Sequence, residues 1–142
     1  MSSLSFPDLN LWQATATPDH LHHSIAKGWW QNAAGQICFA RPTQLGFLRL
    51  CTTSAAMDGK PLTMIEAWCA YDRFFEDARV QFFHEPLDVE ARFRRRTSDS
   101  TVSPKVWADA WLLAVAEAAG GTLVTLDRAL AGRGAQCLLG GR

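Results

Sequence analysis

The sequence has no CxxC pair, no run of about 18 apolar residues and no excess of either charge. Each absence removes a class of protein. The cysteines Cys38, Cys51, Cys69 and Cys137 lack the spacing of a zinc site or a redox motif. Cys38 and Cys137 lie in apolar runs, and Cys51 and Cys69 in helix-like ones, so all four are expected to be small, reduced, buried side chains in a cytoplasmic protein. The missing apolar run leaves no membrane span to expect. The start, "MSSLSFPDLNLW", has no basic residue and no long apolar stretch, so no signal peptide is expected either. Lys plus Arg and Asp plus Glu number 14 each, so any anionic partner would have to be met by clustered basic residues. No repeat or low-complexity tract is present.

What remains is a globular composition, 48% hydrophobic and 20% charged, at a length that suits one domain over residues 1–142. Strand-like and helix-like stretches alternate. "LSF" (4–6) is a short apolar start that reaches Asp8. Pro18-Asp19 opens a helix carrying Leu21, Ile25, Trp29 and Ala33 at helical spacing, with Gly35 as its stop. "QICFA" (36–40) reads as a strand and Pro42-Thr43 begins the next helix. After the turn "DGKP" (58–61), Thr63 and Glu66 form a capping box for another. "VQFF" (80–83) is a strand, "DVEARFRRR" (88–96) a basic helix and "TSDSTVS" (97–103) a polar loop. Ser103-Pro104 starts the helix that runs to Gly120-Gly121, and "TLVTL" (122–126) and "AQCLL" (135–139) are the last strands. This order predicts an α/β sandwich around a mainly parallel sheet. Pro7 fits only if strand pairing stops at Phe6, because a proline has no N–H for a central ladder.

Parallel strands joined by right-handed crossovers end along one rim, where open α/β sheets bind their ligands. Strand one brings Asp8 and Asn10 there, and "TLVTL" brings Thr125 and Asp127. Asp109 lies early in a helix that runs antiparallel to the strands, so it starts at the same rim. Three carboxylates brought together repel unless a cation neutralises them. Carboxylate oxygens without Cys or His partners suit Mg²⁺ or Mn²⁺, ions that polarise phosphates and activate water.

"FPDLNLWQA", "HLHHSIAKGWW", "TQLGFLRLCT" and "WADAWLLAVAEAAGGTLVTLDRAL" resemble, in that order and spacing, the PIN-domain family. Within it the chain is most similar to the VapC-type ribonuclease toxins of type II toxin–antitoxin pairs. The resemblance covers nearly the whole chain and implies a three-layer α/β/α sandwich that cleaves RNA with a divalent metal. By motif it carries the acidic positions onto Asp8, Gln44, Asp109 and Asp127. It implies Asp8 and Asp109 as main Mg²⁺ ligands, with Asp127 at a second ion or at the attacking water. It also implies a small cognate antitoxin and a homodimer. Many relatives have Glu where this chain has Gln44, which lowers the charge available to an ion. The alternative is therefore a degenerate PIN module that binds RNA or an antitoxin without cutting. A third possibility, a phosphatase-like fold with an aspartate nucleophile, would want an acid two residues after Asp8, where Asn10 stands.

Other residues divide between structural and functional readings. Asn10 and Thr125 could orient a water or hydrogen-bond the acids. Arg92, Arg94, Arg95 and Arg96 form the one dense basic cluster, either a solvated helix face or an RNA-phosphate contact, and Arg49 is a further candidate for phosphate. Glu66 is accounted for by its capping box. His20, His22 and His23 lack an i, i+4 pair and read as solvated. Trp29, Trp30, Trp107 and Trp111 read as core and interface aromatics.

Overall fold

The structure, a computed structural model, describes residues 3–140. Strand β1 (Leu4–Pro7) leads into helices α1 (Leu9–Ala16) and α2 (His23–Asn32), then β2 (Gln36–Phe39) and α3 (Arg41–Cys51). A 3-10 turn (Ala55–Met57) precedes α4 (Met64–Phe74), β3 (Val80–Phe82), α5 (Val89–Arg96), α6 (Val106–Ala119), β4 (Thr122–Thr125), α7 (Arg128–Ala131) and β5 (Gln136–Cys137). All five strands are parallel, in the order β3-β2-β1-β4-β5. The direction of winding reverses between β1 and β4, which makes their C-terminal ends the switch point of the sheet.

Helices cover both sheet faces. On one, Trp12, Ile37, Phe39, Phe47 and Tyr71 form an aromatic core, in which Trp12 stacks on Phe39 at 3.7 Å. On the other, Phe6, Cys38 and Leu123 meet Leu112, Leu113 and Val115 of α6. Side chains alternate across a strand, so Ile37 and Phe39 point one way and Cys38 the other. The α6 helix ends at Gly120, whose φ of 70° is a left-handed stop that favours glycine. Arg79 ties its own strand to the neighbouring helix. It pairs with Asp77 at 2.7 Å and donates to the Trp30 and Ala33 carbonyls at the end of α2. Among the described residues, no helix is long and apolar enough to cross a membrane.

Several expectations are corrected. The stretch after Asp8 is a helix, α1, which the sequence reading did not assign. The second helix starts at His23, after a turn, and not at Pro18, and α6 starts at Val106 rather than at Pro104. The last strand is only Gln136–Cys137. Pairing does not stop at Phe6: Pro7 is opposite Val124, and the Asp8 N–H donates to the Val124 carbonyl at 3.0 Å. The proline is tolerated because alternate residues address opposite neighbours. Position 7 addresses β2, where pairing with β1 ends at Ser5 and Ile37. Among the cysteines, Cys38 and Cys51 are buried, but Cys137 is half-buried and Cys69 exposed.

Candidate active site

Asp8 follows β1 and caps α1, its Oδ1 accepting from the Leu11 N–H at 3.0 Å. Its Oδ2 accepts a short hydrogen bond from the Thr125 hydroxyl at the end of β4. Thr125 in turn accepts from the Asp127 N–H at 2.9 Å, and Asp127 caps α7 through the Ala129 N–H at 2.9 Å. One hydroxyl thus joins the two strand ends on either side of the switch point. Asp109 stands in the first turn of α6, half-buried, beside them.

Burial pushes the Asp8 carboxyl above its ordinary value. The hydrogen bonds from Thr125 and Leu11 oppose the rise, and the charges of Asp109 and Asp127 add to it. Burial also raises Asp109; the Asp127 charge raises it further, and Arg133 opposes. The three acids therefore converge closely enough to repel. Among the described residues none of them makes an ion pair. Nor does any group of three or more His, Cys, Asp or Glu side chains close around a single point. Carboxylates that repel one another and make no ion pair suit a hard divalent cation, which would have to draw them closer as it bound.

The remaining residues are placed unevenly. Asn10 is exposed in the first turn of α1 and makes no hydrogen bond to the acids among the described residues. Gln44 is buried, and its Oε1 accepts from Arg41 Nη1 at 2.5 Å. Gln44 is also the hydrogen-bond partner that opposes the burial-driven rise at the Tyr71 hydroxyl. Glu66 stays in its capping box with Thr63. Arg49 is exposed in the last turn of α3, eight residues and roughly 12 Å along the helix from the rim. The basic helix α5 splits. Arg92 and Arg96 clamp Glu117 of α6 at 2.9 and 2.8 Å, Arg94 pairs with Glu90 on an exposed surface, and Arg95 is exposed. His20 and His23 bond backbone atoms, and burial lowers His20. Two rim cations, Arg41 and Arg133, were missed by sequence reasoning. Arg41 carried a signal: a positive charge in the first turn of a helix opposes its dipole, a local conflict that marks a position for inspection.

No profile of a known family matches the chain. It is 41% identical over 128 residues to Ribonuclease VapC41 of Mycobacterium tuberculosis, across 86% of this chain and 88% of that protein. The chain belongs to the VapC ribonuclease family. VapC toxins share its PIN-domain fold. Mycobacterium tuberculosis VapC20, a Sarcin-Ricin loop cleaving toxin, superposes with a TM-score of 0.67 at 17% identity, over 92% of this chain and 95% of that one. VapBC2 of Rickettsia felis, bound to a DNA fragment from its promoter, gives 0.64 at 12% identity over 92% of both chains. FitAcB of Neisseria gonorrhoeae gives 0.59 at 16% identity, over 94% and 96%.

Proposed function

We propose that this VapC-family chain is a metal-dependent endoribonuclease, the toxin of a toxin–antitoxin pair, acting in the cytoplasm. The observation that carries the reading is the convergence of Asp8, Asp109 and Asp127 at the switch point with no ion pair among them. Asp8 and Asp109 are the residues to hold Mg²⁺ or Mn²⁺, and Asp127 orients the attacking water with Thr125. A bound ion there supplies charge to polarise the phosphodiester and lowers the pKa of a water. Thr125 holds one Asp8 oxygen and the Leu11 N–H the other, which fixes the carboxylate at the end of β1. Arg94 and Arg95 are the α5 residues proposed to reach RNA phosphates, since Glu117 occupies Arg92 and Arg96. The protein partners are a small antitoxin and a second copy of the chain. The exposed Met64, Ile65 and Trp68 of α4 supply apolar surface for such contacts.

Cleavage of single-stranded RNA, followed with Mg²⁺, with Mn²⁺ and with EDTA, tests this. The expected result is cleavage that needs the divalent ion and is lost in Asp8→Asn. Equal cleavage in EDTA would sink the metal mechanism. A second reading, binding without cutting, is favoured by Gln44, which brings no charge and whose oxygen is already taken by Arg41. RNA binding with no cleavage under either ion would select it.

A further inference from the structure

We propose that Arg41 grips the RNA phosphate at this site and that Gln44 is its positioning residue, an inference that rests on the ribonuclease reading above. The β1–β2 register pairs Leu4 with Gln36 and Ser5 with Ile37, and β2 passes through Ala40 straight into α3, so Arg41 opens that helix at the same C-terminal rim of the sheet as Asp8. The α3 helix is held against this spot. A Cβ at Gly46 would come within 2.8 Å of the end of the Leu9 side chain, the neighbour of Asp8, so α3 and the start of α1 are in close contact there. Thr43 fixes the first turn by exchanging hydrogen bonds with the Ala40 backbone at 3.0 and 2.9 Å.

The arginine is oriented twice. Its Nη1 donates to the buried Gln44 oxygen, and its guanidinium lies 4.4 Å from the centre of the Phe82 ring. Neither contact carries negative charge. Arg79, Arg92, Arg94 and Arg96 each have a carboxylate partner, whereas Arg41 has none among the described residues. Arg41 is exposed, and its remaining N–H groups form a fork suited to two oxygens of one phosphate. A glutamate at position 44 would form an ion pair with this fork and neutralise it. The neutral amide holds the guanidinium in place and leaves its charge free. The departure from the acidic pattern at Gln44 thereby changes the rim: an arginine held by a neutral amide and by the Phe82 ring opens α3 where the resemblance implies a fourth acid.

The test is binding of a short, mixed-sequence single-stranded RNA to the full chain in EDTA, read by fluorescence anisotropy across a salt series. Arg41→Ala is expected to weaken binding about tenfold, the size of one charged hydrogen bond. It should also flatten the log–log salt slope by roughly 0.7, one phosphate contact. Arg41→Lys should fall between, keeping the charge and losing the fork. Gln44→Glu should weaken RNA binding like Arg41→Ala, and the double variant should lose little more. Thermal melts check that the variants fold, and Arg41→Lys carries the test if Arg41→Ala does not. Unchanged affinity and slope in Arg41→Ala or Arg41→Lys overturns the inference. So does a Gln44→Glu chain that binds metal more tightly and RNA as well as before. Loss of antitoxin binding alone would make Arg41 a protein contact and also overturn it. If the wild-type chain neither binds nor cleaves RNA, the ribonuclease reading falls as well; if it cleaves and Arg41 is indifferent, only this inference falls.

Discussion

At the end of β1, Asp8 caps α1; at the end of β4, Asp127 caps α7 with nearly the same geometry, 3.0 against 2.9 Å to a backbone N–H. Both touch the Thr125 hydroxyl, Asp8 as acceptor and Asp127 through its backbone N–H. Yet Asp8 is buried, under eight-residue α1 and beside the aromatic core, while Asp127 opens the four-residue α7 and is exposed. Capping is a local property readable from a few residues. The carboxylate's environment depends on what covers it, and there the two strand ends part.

Asp8→Asn should show the largest effect. Asn caps as well as Asp, so α1 should persist, while cleavage drops by roughly a thousandfold with the loss of a charged ligand worth several kcal/mol. Asp127→Asn should lose less. Equal losses in kcat/KM would erase the distinction between the two ends. Thr125→Val comes next: it strips a partner from the Asp8 oxygen and from the Asp127 N–H together. A urea melt should show a cost of about 1–3 kcal/mol. Because Thr125 holds the Asp8 value down, its loss should also move the acid limb of the kcat/KM profile to higher pH.

A smaller effect is expected in the metal-free chain as pH changes. The ordinary value for Asp8 and for Asp109 is 3.8, and both are raised in the folded state. The native state then holds these protons more tightly than the unfolded state. The contribution of these two acids to stability should be greatest below that ordinary value and fall as pH rises through the raised folded values, read as the difference between the wild type and Asp8→Asn because Asp77, Asp99 and Glu117 are shifted the other way. Saturating Mg²⁺ should flatten the fall, because binding favours the folded, ionised site. Melts that keep falling equally with Mg²⁺ would show that the ion does not sit on these acids. The smallest contrast is at the second cap. Asp127→Ala should cost about 1 kcal/mol and Asp127→Asn only a few tenths, so stability and chemistry can be separated there.

The parallel sheet, the two strand-end acids and the Thr63–Glu66 box were legible because each is signalled within a few residues. The α1 helix was not, although its cap is Asp8. The same residue was read as the end of a strand, and "LNLWQATA" lacks the flanking glycine or proline that marks a boundary. The start of α2 was misplaced because Pro18-Asp19 serves a turn, not a first helical residue. Arg41 and Arg133 were missed because their importance comes from spatial neighbours. Gln44 and Phe82 define one, and Asp109, on a helix that ends before β4 begins, defines the other. The dense α5 arginines drew attention by count, while Glu117, 21 residues after Arg96, takes up two of them and Glu90 a third.

Pro7 has one more consequence. The ring removes an N–H on the β2 side of β1 alone, so the ladder to β4 runs on while the ladder to β2 is shut off two residues sooner. The sheet is thus permanently unzipped on one side at its business end. No fluctuation of the backbone can heal that split with a hydrogen bond from residue 7. The break in the ladder beside Asp8 is set during folding, so keeping it open takes nothing from the free energy of a ligand that later binds at this rim.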